Sequence, residues 1–168
     1  MRKIVGYKDF IKVGCVSFDT AQALVNIYNK ICNHCWHIYE QIKPEYNEVY
    51  GEYYPHEIKD EFPHEYDEVV ESVWGLHTFT ATNNEYPSVY AAPMLYDVIQ
   101  YFIKNYRVFI SAYWDNRCNK WGWYYELMDY QDISGVFQDD EYFDDMNEAV
   151  DKCILTVAKR LTDNTLFY

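Results

Sequence analysis

The densest group of ligand-type side chains in the chain is Cys32-Asn33-His34-Cys35-Trp36-His37. A C-x-x-C pair offers two thiolates to zinc, and His34 or His37 adds an imidazole. A closed structural site needs four ligands, and the remaining donors, Cys118, Cys153, His56, His64 and His77, form no second spaced pair. Trp36 separates Cys35 from His37, whereas a haem attachment site needs Cys followed directly by His. Cys32 and Cys35 stand one helical turn apart and suit a core stripe. Thiols used as small core residues are therefore the leading reading, with Cys32, Cys35 and His37 as weak metal candidates. The five cysteines are odd in number, so no disulfide framework is expected.

Two further groups mix His with carboxylates, Pro55-His56-Glu57 and Pro63-His64-Glu65. They lack the helical H-E-x-x-H spacing that brings two imidazoles to one side of a metal and read as acidic surface loop. There is no G-x-S-x-G elbow, and the six glycines are scattered singly, which argues against a phosphate cradle. Neither a catalytic residue nor a cofactor is expected. The aromatic run Tyr113, Trp114, Trp121, Trp123, Tyr124 and Tyr125 resembles a base-stacking platform. Such platforms sit in a basic groove, however, and nearby acids outnumber Arg107, Arg117 and Lys120. One face of that run must be core, and any exposed remainder suits a protein partner.

Carboxylates are the main chemical resource. There are 27 acidic and 14 basic residues among 168, a net charge of −13, with 19 tyrosines and 20% aromatic residues overall. That is too aromatic for a disordered acidic tail and too acidic for direct binding of a nucleic-acid backbone. The acids gather between residues 40 and 71 and at Asp139-Asp140-Glu141. In the first stretch they alternate with tyrosines, which marks Tyr46, Tyr50, Tyr53, Tyr54, Glu57, Glu61, Glu65 and Tyr66, with Asp139, Asp140 and Glu141, as the candidate binding surface for an unidentified protein partner. The alternative is a rigid carboxylate array that imitates the phosphates of DNA and blocks the basic cleft of a defence or DNA-processing enzyme.

The elements that must position these groups follow from periodicity. Phe10 to Phe18 reads as a strand or an extended lead-in, and Asp19-Thr20-Ala21-Gln22 as a capping box. A helix is expected behind it, with Leu24, Ile27, Tyr28, Ile31, Cys35 and Ile38 on one stripe, ending before Pro44. Residues 40–70 read as an irregular, Tyr-anchored surface segment, Val69 to Thr80 as extended, and 83–88 as a turn. Pro93 suits the first turn of a helix carrying Leu95, Val98, Ile99, Phe102 and Tyr106, with Asn105 as its C-cap residue. Arg107–Asp115 and Trp121–Met128 alternate about the turn 116–119, a hairpin signal, and a third strand is expected at Ile133–Phe137. Asp145-Met146-Asn147-Glu148 opens a last helix with Ala149, Val150, Cys153, Ile154, Val157, Ala158 and Leu161 on its core stripe.

The stretch Ala91-Ala92-Pro93-Met94-Leu95-Tyr96-Asp97-Val98-Ile99-Gln100-Tyr101-Phe102, the Trp/Tyr-rich hairpin and Phe143-Asp144-Asp145-Met146-Asn147-Glu148-Ala149 resemble, together with Phe18-Asp19-Thr20-Ala21, a family of small hypothetical proteins of gut anaerobic bacteria and their phages. The resemblance covers half of the chain. It departs at Tyr101, where Trp is usual, and at Asp145-Met146-Asn147. It implies a fold and a mobile-element setting, with no assigned activity.

The expected fold is α+β: an antiparallel sheet with helices packed on one face, built around a C-terminal αββ(β)α unit. One domain is expected, divided into a strand–helix segment (1–39), an acidic Tyr-rich insert (40–88) and a helix–hairpin–helix unit (89–168). No apolar run is long enough to span a membrane, and no apolar stretch follows the basic N-terminus, so a cytoplasmic protein of a bacterial host is expected.

Overall fold

The computed structural model describes residues 2–31, 35–46, 70–78, 89–128, 133–138 and 140–163. These form β1 (Arg2–Val5), α1 (Asp9–Val13), α2 (Phe18–Ala23), α3 (Tyr28–Ile31), β2 (His37–Tyr46), β3 (Val70–Thr78), β4 (Val89–Ala91), α4 (Leu95–Tyr106), β5 (Val108–Asp115), β6 (Lys120–Met128), β7 (Ile133–Gln138) and α5 (Met146–Thr162). The class is α+β, as expected.

The C-terminal unit follows its sequence pattern closely. β5, β6 and β7 form an antiparallel meander in that order. Val108, Ile110, Ala112 and Trp114 stand opposite Leu127, Tyr125, Trp123 and Trp121, so the two alternating sets share one face. That face packs against α4 and α5, where Val98, Phe102, Val108, Ile110, Trp123, Tyr125, Val150, Cys153, Ile154 and Val157 are buried in one core. Asp145 caps α5 by accepting the Asn147 N–H at 2.7 Å, and Lys159 and Arg160 complement the dipole in its last turn. Two details differ from expectation. Met94 is the N-cap of α4, and the Pro93 carbonyl instead accepts the Val16 N–H at 2.9 Å. Arg107, in the left-handed region at φ 52°, turns the chain from α4 directly into β5, while Asn105 remains helical and donates its side-chain amide to the Tyr101 carbonyl.

The N-terminal half departs further. Residues 10–18 are neither a strand nor an extended lead-in throughout: α1 begins after a turn in which the Asp9 N–H bonds the Gly6 carbonyl, and it ends on Gly14 at φ 77°. Both glycines take positive φ, which other residues adopt only under strain. Ser17, rather than Asp19, caps α2, accepting the Thr20 N–H at 3.4 Å. The expected long helix breaks after Ala23. From Leu24 to Lys30 several backbone bonds span three residues, as in Ile27 N–H to Leu24 and Lys30 N–H to Ile27, giving a tighter coil than an α-helix. Asn26 and Asn29 favour that outcome, since their amides compete with the helix ladder. Ile38 is buried because it lies on β2, not on a helical stripe.

The second sheet has the order β1-β3-β2-β4, with β1 parallel to β3 and the other pairs antiparallel. Residues 40–46 are therefore strand rather than irregular surface. Pro44 is tolerated in β2 because β4 pairs only with Ile38, Tyr39 and Glu40, so the missing donor at position 44 breaks no bond to that neighbour. A register irregularity between Gln41 and Lys43 adjusts the pairing with β3 just before it. Phe18, Tyr39, Trp74 and Tyr90 cluster edge-on and tilted, with Phe18 at 5.3, 5.0 and 5.6 Å from the other three rings, and join this sheet to α2. Among the described residues no helix is long and apolar enough to cross a membrane.

Candidate functional site

The two halves meet at an acidic recess of about 160 Å³. Its lining comes from every N-terminal element up to β2 except α3, and from α5 and the loop before it: Ile4, Tyr7, Phe10, Ser17, Phe18, Asp19, Tyr39, Glu141, Phe143, Glu148, Asp151, Lys152 and Leu155. Four carboxylates thus face one ammonium, with five aromatic rings in the walls.

Asp151 is the acid that the fold buries. It is 6% exposed, and its Oδ1 accepts the Ser17 N–H at 2.7 Å across 134 residues of chain. Thr20, fully buried behind it, directs its hydroxyl to the Asp151 carbonyl at 3.5 Å and receives the Ser17 hydroxyl at 3.1 Å. Burial pushes the Asp151 carboxyl up to about 6; the Ser17 and Thr20 hydrogen bonds oppose that rise, and the Asp19 charge adds to it. Tyr39 donates its hydroxyl to the Val16 carbonyl at 3.1 Å, and burial raises its pKa strongly. Burial also pushes the nearby Cys15 thiol up to about 12, so it is not a ready nucleophile.

The cations around the recess are engaged at its rim. Lys8 lies 2.8 Å from Glu148 and Lys152 lies 3.0 Å from Glu141. The Glu148 side chain is 14% exposed and Lys152 is half-buried. Asp19 and Glu141 are exposed, and Tyr7 is 64% exposed at the mouth.

The sequence-derived candidates divide three ways. Glu141 lines the recess; Asp140 is exposed beside it. Tyr46 closes β2 opposite Val70. Tyr50, Tyr53, Tyr54, Glu57, Glu61, Glu65, Tyr66 and Asp139 lie outside the described residues, as do the two Pro-His-Glu motifs. Of the Cys/His cluster, Cys32 and His34 lie outside them too. Cys35 is buried and its thiol donates to the His37 carbonyl at 3.0 Å. The buried His37 Nδ1 has no hydrogen-bond partner among the described residues, and burial lowers the pKa of its ring. Among the described residues no three His, Cys, Asp or Glu side chains are arranged to hold a metal ion. The acidic run before α5 is partly neutralised, since Lys120 lies 3.3 Å from Asp144 in addition to the Glu141 pair.

Asp151, Ser17, Asp19, Glu148 and Lys152 were not singled out by sequence as binding residues. The available signal was Asp151 at i, with Ile154, Leu155 and Ala158 at i+3, i+4 and i+7. An acid on an apolar stripe is rarely buried without a purpose.

No family model matches the chain, and neither the comparison with curated proteins nor that with solved structures returns a match.

Proposed function

We propose that this chain is a non-catalytic module that works by binding another protein, through carboxylates and aromatic rings arranged around the recess. The carrying observation is the recess itself. Two distant parts of the chain bring four acids and five rings to one opening, on a protein of net charge −13. Acids with tyrosines and phenylalanines suit a basic, partly apolar partner surface: the charge steers the encounter and the rings supply contact area. The lining favours binding over reaction. The Tyr39 hydroxyl is committed to backbone, the neighbouring thiol stays protonated, and the Ser17 hydroxyl donates to Thr20 at 3.1 Å.

The test is comparative capture from cells that encode the chain. Wild-type protein is set against a rim reversal, Asp19→Lys with Glu141→Lys, both at exposed positions. A partner retained by the wild type, released by salt and lost with the reversal is the expected result. An identical set of captured proteins for both would contradict the proposal.

A further inference from the structure

Asp151 is an acid where the fold needs only an acceptor. Its bond from the Ser17 N–H would be made equally well by an asparagine oxygen. Burial and the Asp19 charge both oppose its ionisation. Facing it are Asp19 from α2, Cys15 just before α2, Tyr39 from β2 and, around the recess, Glu141, Glu148 and Lys152. Tyr39 and Cys15 keep their protons, while Lys8 and Lys152 already sit against Glu148 and Glu141. A buried carboxylate in an open recess, bonded by neutral donors and flanked by further acids, is complementary to a cation.

We propose that the recess seats the head group of one basic side chain, arginine or lysine, presented by the protein partner. This rests on the protein-binding reading above and names the partner chemistry it uses. The head group sits between Asp151 and the rim acids Asp19 and Glu141, with Phe18, Tyr39 and Phe143 as aromatic walls. The volume of about 160 Å³ is below the roughly 300 Å³ at which pockets for drug-sized ligands begin, so it fits a head group and its last methylenes rather than a nucleotide-sized cofactor. Two consequences follow from the geometry. The entering cation competes with Lys152 for Glu141. It also favours the ionised form of Asp151, so binding releases a proton and tightens as pH rises through the titration of that group.

The test uses the isotope-labelled 168-residue chain, titrated with capped glycine-flanked tripeptides bearing arginine, lysine or norleucine, and with spermidine. The arginine or lysine peptide is expected to move the amide resonances of Ser17, Asp151 and Lys152, and the norleucine peptide to leave them in place. Asp19→Asn with Glu141→Gln should weaken the interaction about tenfold, the loss expected from removing charge-assisted bonds. Lys152→Gln should tighten it, an effect opposite to that of a merely damaged fold. Asp151→Asn should abolish its pH dependence; the rim and Lys152 variants carry the test if that variant does not fold.

No movement with either basic peptide overturns this inference, while partner capture that remains sensitive to rim reversal leaves the broader reading standing. A response to spermidine alone overturns the assignment to a protein-borne side chain.

Discussion

Asp115, at the β5–β6 turn, and Asp151, at the floor of the recess, are each 6% exposed, yet the protein treats them in opposite ways. Asp115 accepts the Arg117 backbone N–H at 2.8 Å and its guanidinium at 2.6 to 3.2 Å, and those bonds hold its carboxyl down to about 2. Acid, base and backbone lie within three residues, and the Tyr142 hydroxyl adds one more bond to the same carboxyl. Asp151 meets the neutral donors of Ser17 and Thr20 instead, and burial raises it to about 6. The difference separates an acid that builds the fold from one that the fold tolerates. A buried carboxylate with its own arginine closes a turn. One bonded by neutral groups at an open recess marks a place where the missing charge arrives from outside.

If that contrast is right, the two regions should fail in different ways. The hairpin unit should be sensitive to volume at any pH. Trp123→Ala removes a ring that is 3% exposed in the core beneath α5 and should cost about 3–5 kcal/mol, the same at pH 5 and pH 7, read from urea denaturation midpoints. The recess should respond to charge and pH. Asp151 has a folded-state pKa above the unfolded value, so the native state binds the extra proton between 3.8 and about 6. Its contribution is then fully present below the lower value and lost as pH rises through the upper one. Asp151→Asn should therefore stabilise the protein at pH 7 by on the order of 2–3 kcal/mol and flatten its stability between those limits, measured by thermal denaturation across pH.

A smaller effect is expected at Gly122, where an added Cβ would lie 2.6 Å from Cζ of Tyr113. Gly122→Ala should cost about 1–2 kcal/mol as the ring is displaced, and Tyr113→Ala in the same chain should recover much of it in a double-mutant cycle. The smallest belongs to the partly exposed Glu141–Lys152 pair. Glu141→Gln should change stability by about 0–1 kcal/mol, so any larger effect it has on peptide binding reports on the recess rather than on the fold.

The C-terminal unit was legible because period-two and period-3.6 patterns run unbroken through it. Val108 to Trp114 and Trp121 to Leu127 pair as their alternation requires, and Val150 to Val157 lie on the stripe read from spacing. The N-terminal half was less so. Phe10, Ile11, Val13, Val16 and Phe18 look extended, but left-handed Gly6 and Gly14 allow a short helix there, and both Ser17-x-x-Thr20 and Asp19-x-x-Gln22 resemble helix starts. Residues 40–46 looked irregular because Pro44, Glu40 and Glu45 obscure a strand held by β3. The recess was illegible for a different reason. The Ser17–Asp151 bond joins residues 134 apart, and local patterning encodes no such contact.

The most direct measurement is the titration of the Asp151 side-chain carboxyl by carbon-13 NMR, with and without the arginine tripeptide. A midpoint near 6 in the free protein that falls when the peptide is added is the expected result. A midpoint in the ordinary aspartate range, or one that the peptide leaves unmoved, would contradict the assignment of the recess as a seat for a cationic side chain.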